Sequence, residues 1–309
     1  MATVANPLAR AAIPASQQPR TFAQELWRRY RKNFSAMFGL FVLGFMVLAV
    51  IFGPMIYTVD PIKPNIPQSS QQPSAQHLLG TDDVGRDMLA RILYGGRISL
   101  ANGISAMMVA LIVGTLVGAF SGFFGGKIDM ILMRITEICL ALPAVPVLML
   151  IIYLFRDTLK AALGPNLGIF VLIVVVLGSL NWMTIARVVR SQFLQIKQRE
   201  FVEACHALGA TDWRIMFTHI LPNCFGPLAV AATLAVGQAI ITESVLSFLG
   251  VGFPSDTPTW GRMVADYKDW LGILNNAVLS PGVCIFLTVL SVNFIGDGLR
   301  DALDPRRRG

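Results

Sequence analysis

Charge is scarce in this chain. Asp, Glu, Lys and Arg make up 14% of its 309 residues, against about 25% in soluble domains. A deficit of that size excludes a surface that is mostly wet. Histidine is scarcer still. His77, His206 and His219 form no H-x-x-x-H pair, and Cys139, Cys205, Cys224 and Cys284 show neither metal-site spacing nor a disulfide framework. There is no G-x-x-x-x-G-K-[ST] phosphate loop and no H-E-x-x-H. Isolated serines and aspartates make no catalytic site without convergent geometry, so no catalytic residue, no metal ligand and no enzymatic activity are assigned. A cleavable leader is not indicated either, because the first apolar run starts late, near Phe34, and continues to about Val59.

What the chain has instead is hydrophobicity: 54% apolar residues and a mean hydropathy of +0.62. About 20 apolar residues cross a bilayer as a helix. Six segments qualify: Phe34–Tyr57, Leu100–Phe124, Met130–Phe155, Leu167–Ala186, Phe225–Leu249 and Ala277–Ile295, the last interrupted by Pro281, Gly282 and Asn293. The expected fold class is all-α, a polytopic membrane protein with six transmembrane helices. The net charge of +7 does not point to nucleic acid, because Arg28–Lys32, Arg187 with Arg190, and Arg306–Arg308 flank apolar spans. Six crossings collect these clusters on one side, as the positive-inside bias requires, with both termini cytoplasmic. The expected organisation is a cytoplasmic tail over 1–33, a first transmembrane helix over 34–59 and an extracytoplasmic loop over 60–97. A core domain with five transmembrane helices follows over 98–296, including a cytoplasmic loop at 187–222, and then a cytoplasmic tail over 297–309. Within the outer loop, Pro61, Pro64, Pro67 and Pro73 mark an extended stretch, and Asp83–Tyr94 suits a short amphipathic surface helix.

Two spans carry signs of a packed bundle. Gly114, Gly118 and Gly122 recur every four residues in the second, an arrangement that lets another helix backbone approach closely. The third holds Arg134 and Glu137, one turn apart and able to pair, then Pro143 and Pro146, which are expected to kink or unwind it. These residues are assigned to helix packing or gating.

The stretch Arg199–Leu228 is the most informative. Glu200–Leu208 favours a short helix, Gly209 permits a sharp turn, Thr211 can cap a second helix and Asp212 suits its first turn. That second helix, Trp213–Ile220, is expected to end at Leu221-Pro222. It offers Trp213, Ile215, Met216, Phe217 and Ile220 as a mixed apolar and basic surface. The pattern alone fits a docking knob for a soluble partner and a lipid-facing interfacial helix equally well.

Four passages, in order, carry a resemblance to a known family. Glu203-Ala204-Cys205, Gly209 and His219-Ile220-Leu221-Pro222-Asn223 resemble the cytoplasmic signature loop of ATP-binding-cassette importer permeases of the dipeptide and oligopeptide branch. His77–Leu100, Glu243–Gly261 and Asp297–Arg308 resemble other passages of the same branch, and the whole is most similar to its second permease subunit. Cys205 stands where the family usually has a second alanine. The resemblance implies a type I ABC importer permease fold in the inner (plasma) membrane. It implies a heterodimer with a homologous first permease subunit, one or two cytosolic ABC ATPase subunits, and an extracytoplasmic substrate-binding protein. ATP and Mg would be used by the ATPases, with no cofactor on this chain. Glu203, Ala204, Cys205, Ala207, Gly209, Arg214, His219, Leu221, Pro222 and Asn223 would form the ATPase-coupling loop. At the outer side, Asp82, Asp83 and Arg86 are expected to form an ionic network, and Asp256 and Trp260 to belong to a lip that meets the binding protein, Trp260 serving equally as an interfacial anchor in membrane lipid. The implied cargo is a dipeptide or oligopeptide, with nickel chelates, glutathione or opine-like solutes as alternatives. A membrane scaffold that recruits a cytosolic partner without transport is the rival from another class.

Overall fold

The computed structural model describes residues 22–303; the expected outermost parts of both tails, with Arg306–Arg308, lie outside them. Every long element is a helix, and we number them in chain order. Helix α1 is Phe22–Tyr30, α2 Phe34–Ile56, α3 Met88–Phe124, α4 Gly126–Ala141, α5 Ala144–Leu163, α6 Pro165–Lys197 and α7 Glu200–Ala207. Helix α8 is Asp212–Phe248, α9 Trp260–Tyr267 and α10 Asn275–Leu303. Five of these (α2, α3, α6, α8 and α10) are each long and apolar enough to cross a membrane, and α4 with α5 makes a sixth candidate bent by 91°.

The glycine ladder of α3 finds its partner in α6. A methyl group on Gly114 would stand 2.6 Å from Trp182 O, and one on Gly122 2.6 Å from Phe193 Cβ, so no side chain fits between the two backbones. The register 114, 118, 122 against 182, 186, 190 rises on both helices, so α3 and α6 run parallel. A parallel pair demands that the chain return between them, and the bent α4–α5 pair makes that return. It therefore counts as one crossing, and six crossings place Phe22 and Leu303 at the same end of the bundle. Tyr30, Ala36 and Ala302 pack together there, close to the start of the regular part of α8, where Leu303 lies against Gly226. At the opposite end Met88, Met263, Tyr267 and Ala277 form a second core.

Several sequence-based boundaries shift. The expected surface helix at 83–94 does not stand apart: residues from Met88 onward are the first turns of α3, started by Asp87, whose carboxylate accepts from Ala90 N at 2.8 Å. Helix α6 runs on to Lys197, so Arg187 and Arg190, expected in the 187–222 loop, stand on its last turns. The third span is interrupted rather than merely kinked: Leu142 is extended, and α5 restarts after Pro143, which has no N–H to continue the ladder. The sixth span, by contrast, is not interrupted by Pro281 or Asn293.

Candidate functional site

The end that carries both described termini also carries the hinge between α6 and α8. Helix α7 ends at Ala207, Gly209 with a φ of +76° turns the chain, and α8 begins at Asp212. Thr211 occupies the cap position in extended geometry, but its side chain makes no capping bond. Nor does Pro222 end the second helix. Ile215–Ile220 is a π-helical turn and Leu221–Cys224 a 3₁₀ turn, and together they carry the helix past the missing proline N–H into the regular stretch Phe225–Phe248.

This irregular passage decides what the hinge shows. Ile215, Met216 and Ile220, expected on the exposed surface, are fully buried in a core with Phe123, Val189 and Phe193, because the π turn rotates them toward α3 and α6. Of the five expected apolar residues only Trp213 is well exposed, at 60%; Leu208 at the turn is 87% exposed, and Phe201 is exposed on α7. Glu203, Ala204, Ala207, Gly209 and Arg214 are exposed beside them, and Cys205 is half-buried. His219 lies within the π turn and Leu221, Pro222 and Asn223 in the 3₁₀ turn after it, and Asn223 Nδ2 donates to His219 O at 2.7 Å.

The hinge is fastened to the C-terminal end of α3. Trp213 meets Phe120 edge-on with ring centroids 5.6 Å apart and stacks on Phe217 at 5.2 Å; His206 stacks on Phe123 at 6.4 Å. Lys197 reaches Phe123 O, and its ammonium lies 5.3 Å from the Phe123 ring. Beneath, Arg190 Nε and Nη2 grip Asp129 Oδ1 and Oδ2 at 2.6 Å each, and Ser121 donates to the same carboxylate, joining α3, α4 and α6. Phe120, Phe123, Asp129 and Lys197 were not singled out from the sequence; Asp129, an acid at the edge of an apolar run, was the available signal. Arg134 and Glu137 pair at 3.4 Å on the exposed side of α4.

The opposite end is closed by the folded segment 57–87 and by α9. Asp82 is wholly buried. Its Oδ2 accepts from Arg86 Nε at 2.6 Å and from Tyr267 OH at 2.7 Å, and its Oδ1 accepts from the amides of Val84 and Arg86. Arg91, missed by the sequence reading, is equally buried with its Nε 3.9 Å from the same carboxylate. Burial raises the Tyr267 phenol well above its usual range. Asp83 takes no part in the ionic cluster; its backbone carbonyl accepts from Ser69. Alongside, Asp87 accepts from Tyr57 OH at 2.7 Å and meets His77 Nδ1 at 2.8 Å.

Trp260, expected on an exposed lip, is instead 1% exposed. Its indole donates to Ile92 O at 3.0 Å and its amide to Ser99 Oγ at 3.0 Å, so it anchors α9 inside the bundle and offers nothing to a partner or to lipid. Asp256, by contrast, is exposed. A second missed residue holds this loop: Glu243, fully buried on α8, accepts from Ser247 and from Thr259 at 2.8 Å each. A lone acid in the apolar run 225–249 is a signal in itself. Among the described residues no group of three His, Cys, Asp or Glu side chains is placed to hold a metal ion.

This architecture has known counterparts. The profile of the binding-protein-dependent transport system inner membrane component matches residues 114–309, and that of the N-terminal TM domain of oligopeptide transport permease C matches 21–74. The dipeptide transport system permease protein DppC of Alkalihalophilus pseudofirmus is 39% identical over 92% of this chain and 90% of its own length. The oligopeptide transport system permease protein OppC of Bacillus subtilis is 40% identical with the same coverage. The glutathione transport system permease protein GsiD of Pectobacterium atrosepticum is 35% identical over 97% of this chain and 96% of its own. Among solved structures, an inward-facing MetNI methionine ABC transporter chain aligns with a TM-score of 0.55 at 20% identity, covering 70% of this chain and 98% of that one, a likeness of fold. Six crossings, a ladder-packed helix pair, the match over 114–309 and full-length relatives at this identity agree: the chain belongs to the family of binding-protein-dependent transport system inner membrane components, as a membrane permease subunit of an ABC importer.

Proposed function

We propose that this permease subunit forms half of the pathway of an ATP-driven importer of dipeptides or oligopeptides, paired with a homologous first permease subunit. The hinge end faces the cytosol. There Phe201, Leu208 and Trp213 stand exposed around Glu203, Gly209 and Arg214, and this crest is the seat of one ABC ATPase subunit. The opposite end, closed by 57–87 and α9, receives substrate from an extracytoplasmic binding protein, with exposed Asp256 at its edge. ATP and Mg act on the ATPases.

The observation that carries this reading is the fastening of an exposed apolar crest to a membrane-crossing helix. Trp213 is 60% exposed yet rests on Phe120 of α3, so a push on the crest reaches α3 and, through the ladder, α6. An apolar crest at the membrane surface gains by being covered, and a basic fringe at the inner face agrees with the charge bias. The peptide cargo is supported by relatives named for dipeptide and oligopeptide transport.

The test is purification of the complex in mild detergent, reconstitution into vesicles, and uptake of labelled di- and tri-alanine with ATP on the ATPase side. Co-purification of a homologous permease and an ATPase, with ATP-dependent peptide uptake, is expected. Recovery of the chain without an ATPase even after crosslinking would refute the coupling role. Uptake of glutathione but not of alanyl peptides would replace the cargo.

A further inference from the structure

The break between α4 and α5 opens onto the spans beside it. A groove of about 280 Å³ opens at the start of α5, lined by Ala144 and Val145, by Asn181 of α6, and by Gln238 and Thr242 of α8. Asn181 is the central residue of α6, and Gln238 lies mid-way along the regular part of α8. The groove is therefore at mid-bundle, far from either end.

Three features of this place set it apart from an ordinary lipid-facing helix surface. The broken backbone is bare: Ala141, Leu142, Pro143 and Ala144 are all exposed. Irregular backbone at membrane depth is tolerated only inside protein or along a water-filled cavity, because the carbonyls of a terminating helix have lost their intrahelical partners. Gln238 is exposed too, a primary amide in the middle of a span. And the local hydrogen bonds leave capacity unused. Asn181 Nδ2 donates to Leu177 O at 3.1 Å, Gln238 Nε2 to Thr242 Oγ1 at 3.4 Å, and Thr242 Oγ1 to Gln238 O at 2.8 Å. The Asn181 and Gln238 amide oxygens find no partner among the described residues.

We infer that this groove is a solute-contact site on the translocation pathway, and that its carboxamides exchange hydrogen bonds with main-chain amide groups of a peptide in transit. The chemistry selects the class. A carboxamide presents a donor and an acceptor together, the complement of a peptide unit, and is indifferent to side chains. No charged side chain lines the groove, so it neither repels nor traps either terminus of a zwitterionic peptide. Val145, Leu177, Ile241 and Val245 give it apolar walls that tolerate varied side chains. This rests on the importer reading proposed above and adds to it where the cargo touches this chain.

The test uses the whole importer complex in vesicles. Cys139, Cys205, Cys224 and Cys284 are replaced by serine or alanine in the chain, and Gln238→Cys, Thr242→Cys and Phe45→Cys are introduced singly; Phe45, an exposed apolar position on peripheral α2, is the lipid-side control. Each is treated with a charged, water-soluble methanethiosulfonate, with and without a mixture of di- and tri-alanine. Labelling of positions 238 and 242 but not 45, slowed by the peptides, is expected. In parallel, Asn181→Leu with Gln238→Leu should lower alanyl-peptide uptake by about tenfold, the factor for losing amide hydrogen bonds to cargo, while co-purification of the partners is retained. Protection of 238 and 242 in the complex without added peptide would make the groove a contact with the partner permease and overturn the inference. Labelling that peptides do not slow, or undiminished uptake by the double variant, would overturn it as well while the importer reading stood. Failure of the unmodified complex to take up any alanyl peptide would remove the peptide reading itself, and the peptide assignment of the groove with it.

Discussion

The indole of Trp213 meets the ring of Phe120 edge-on at 5.6 Å, and through that contact the hinge is joined to α3 rather than merely attached to α8. An aromatic pair contributes about 0.5–1.5 kcal/mol beyond its area. Replacing Trp213 by alanine should leave the six crossings in place and reduce peptide-stimulated ATP turnover of the reconstituted complex by up to about tenfold, with Trp213→Phe recovering part of it. Unchanged turnover in Trp213→Ala would remove the pair from the coupling route.

Gly209 and Glu203 separate turn geometry from surface contact. At Gly209 a methyl group meets nothing within 4 Å, so Gly209→Ala costs only the positive φ of +76°, about 1 kcal/mol. Thermal unfolding of the purified subunit should register that loss. Glu203 is exposed, so Glu203→Ala should change stability by less than about 0.5 kcal/mol yet weaken ATPase co-purification. Full ATPase recovery with Glu203→Ala would make it a plain surface carboxylate.

The ladder sets a steric limit. At Gly118 the added atoms of a valine would collide with Ala186 O and Val189 Cβ. Backbone cannot yield as a flexible side chain does, so Gly118→Val should cost at least about 1–3 kcal/mol and lower the yield of membrane-inserted, detergent-stable protein. Wild-type yield and melting temperature would contradict the parallel α3–α6 seam.

At the other end, Asp82→Ala would strand Arg91, whose guanidinium is wholly buried 3.9 Å from that carboxylate. Breaking a buried pair on one side costs about 3–5 kcal/mol. The variant should open segment 57–87 to proteolysis from the outside of intact cells, whereas Asp83→Ala, outside the ionic cluster, should not. Equal protease resistance of the two would show that the cluster is not what closes this end.

Alkali should loosen the same region. Burial, then the hydrogen bond to Asp87 and its negative charge, raises the Tyr57 phenol from 10.0 to about 12. The folded state thus holds a proton that the unfolded chain gives up near pH 10. The stability linked to it is complete below pH 10 and is lost as pH climbs toward about 12. Tyr267 acts in the same direction. Melting temperatures followed across this window should fall less steeply in Tyr57→Phe; parallel curves would show that Tyr57 does not contribute.

Much of this was legible in the residues because hydropathy and sterics act locally. The crossings follow from apolar length, the close helix contact from glycines spaced by four, and the turn at 209 from the one residue that adopts positive φ freely. The Asp82–Arg86 pairing is likewise local. Its completion by Tyr267, 185 residues from Asp82, depends on how α9 folds back, which no local pattern encodes. Trp260 misled for a related reason. Tryptophan in an outer loop suits an interfacial anchor, but the bundle supplies Ile92 O and Ser99 Oγ as partners, and a satisfied indole is better buried.

The π turn at Ile215–Ile220 has a consequence for which way α8 faces along its length. In an α-helix each residue advances by about 100° around the axis, so the facing of any side chain can be counted from any other. A turn closed by i→i+5 bonds winds more slowly, and the count slips. Within the π turn the facing therefore slips, while the 3₁₀ turn at Leu221–Cys224 winds faster and works against the slip before the regular stretch from Phe225. The slip is what lets the near side of α8 bury Ile215, Met216 and Ile220 while Trp213 stays outside. Trp213 can therefore face outward at the crest while residues one and two turns further along the same helix face α3 and α6.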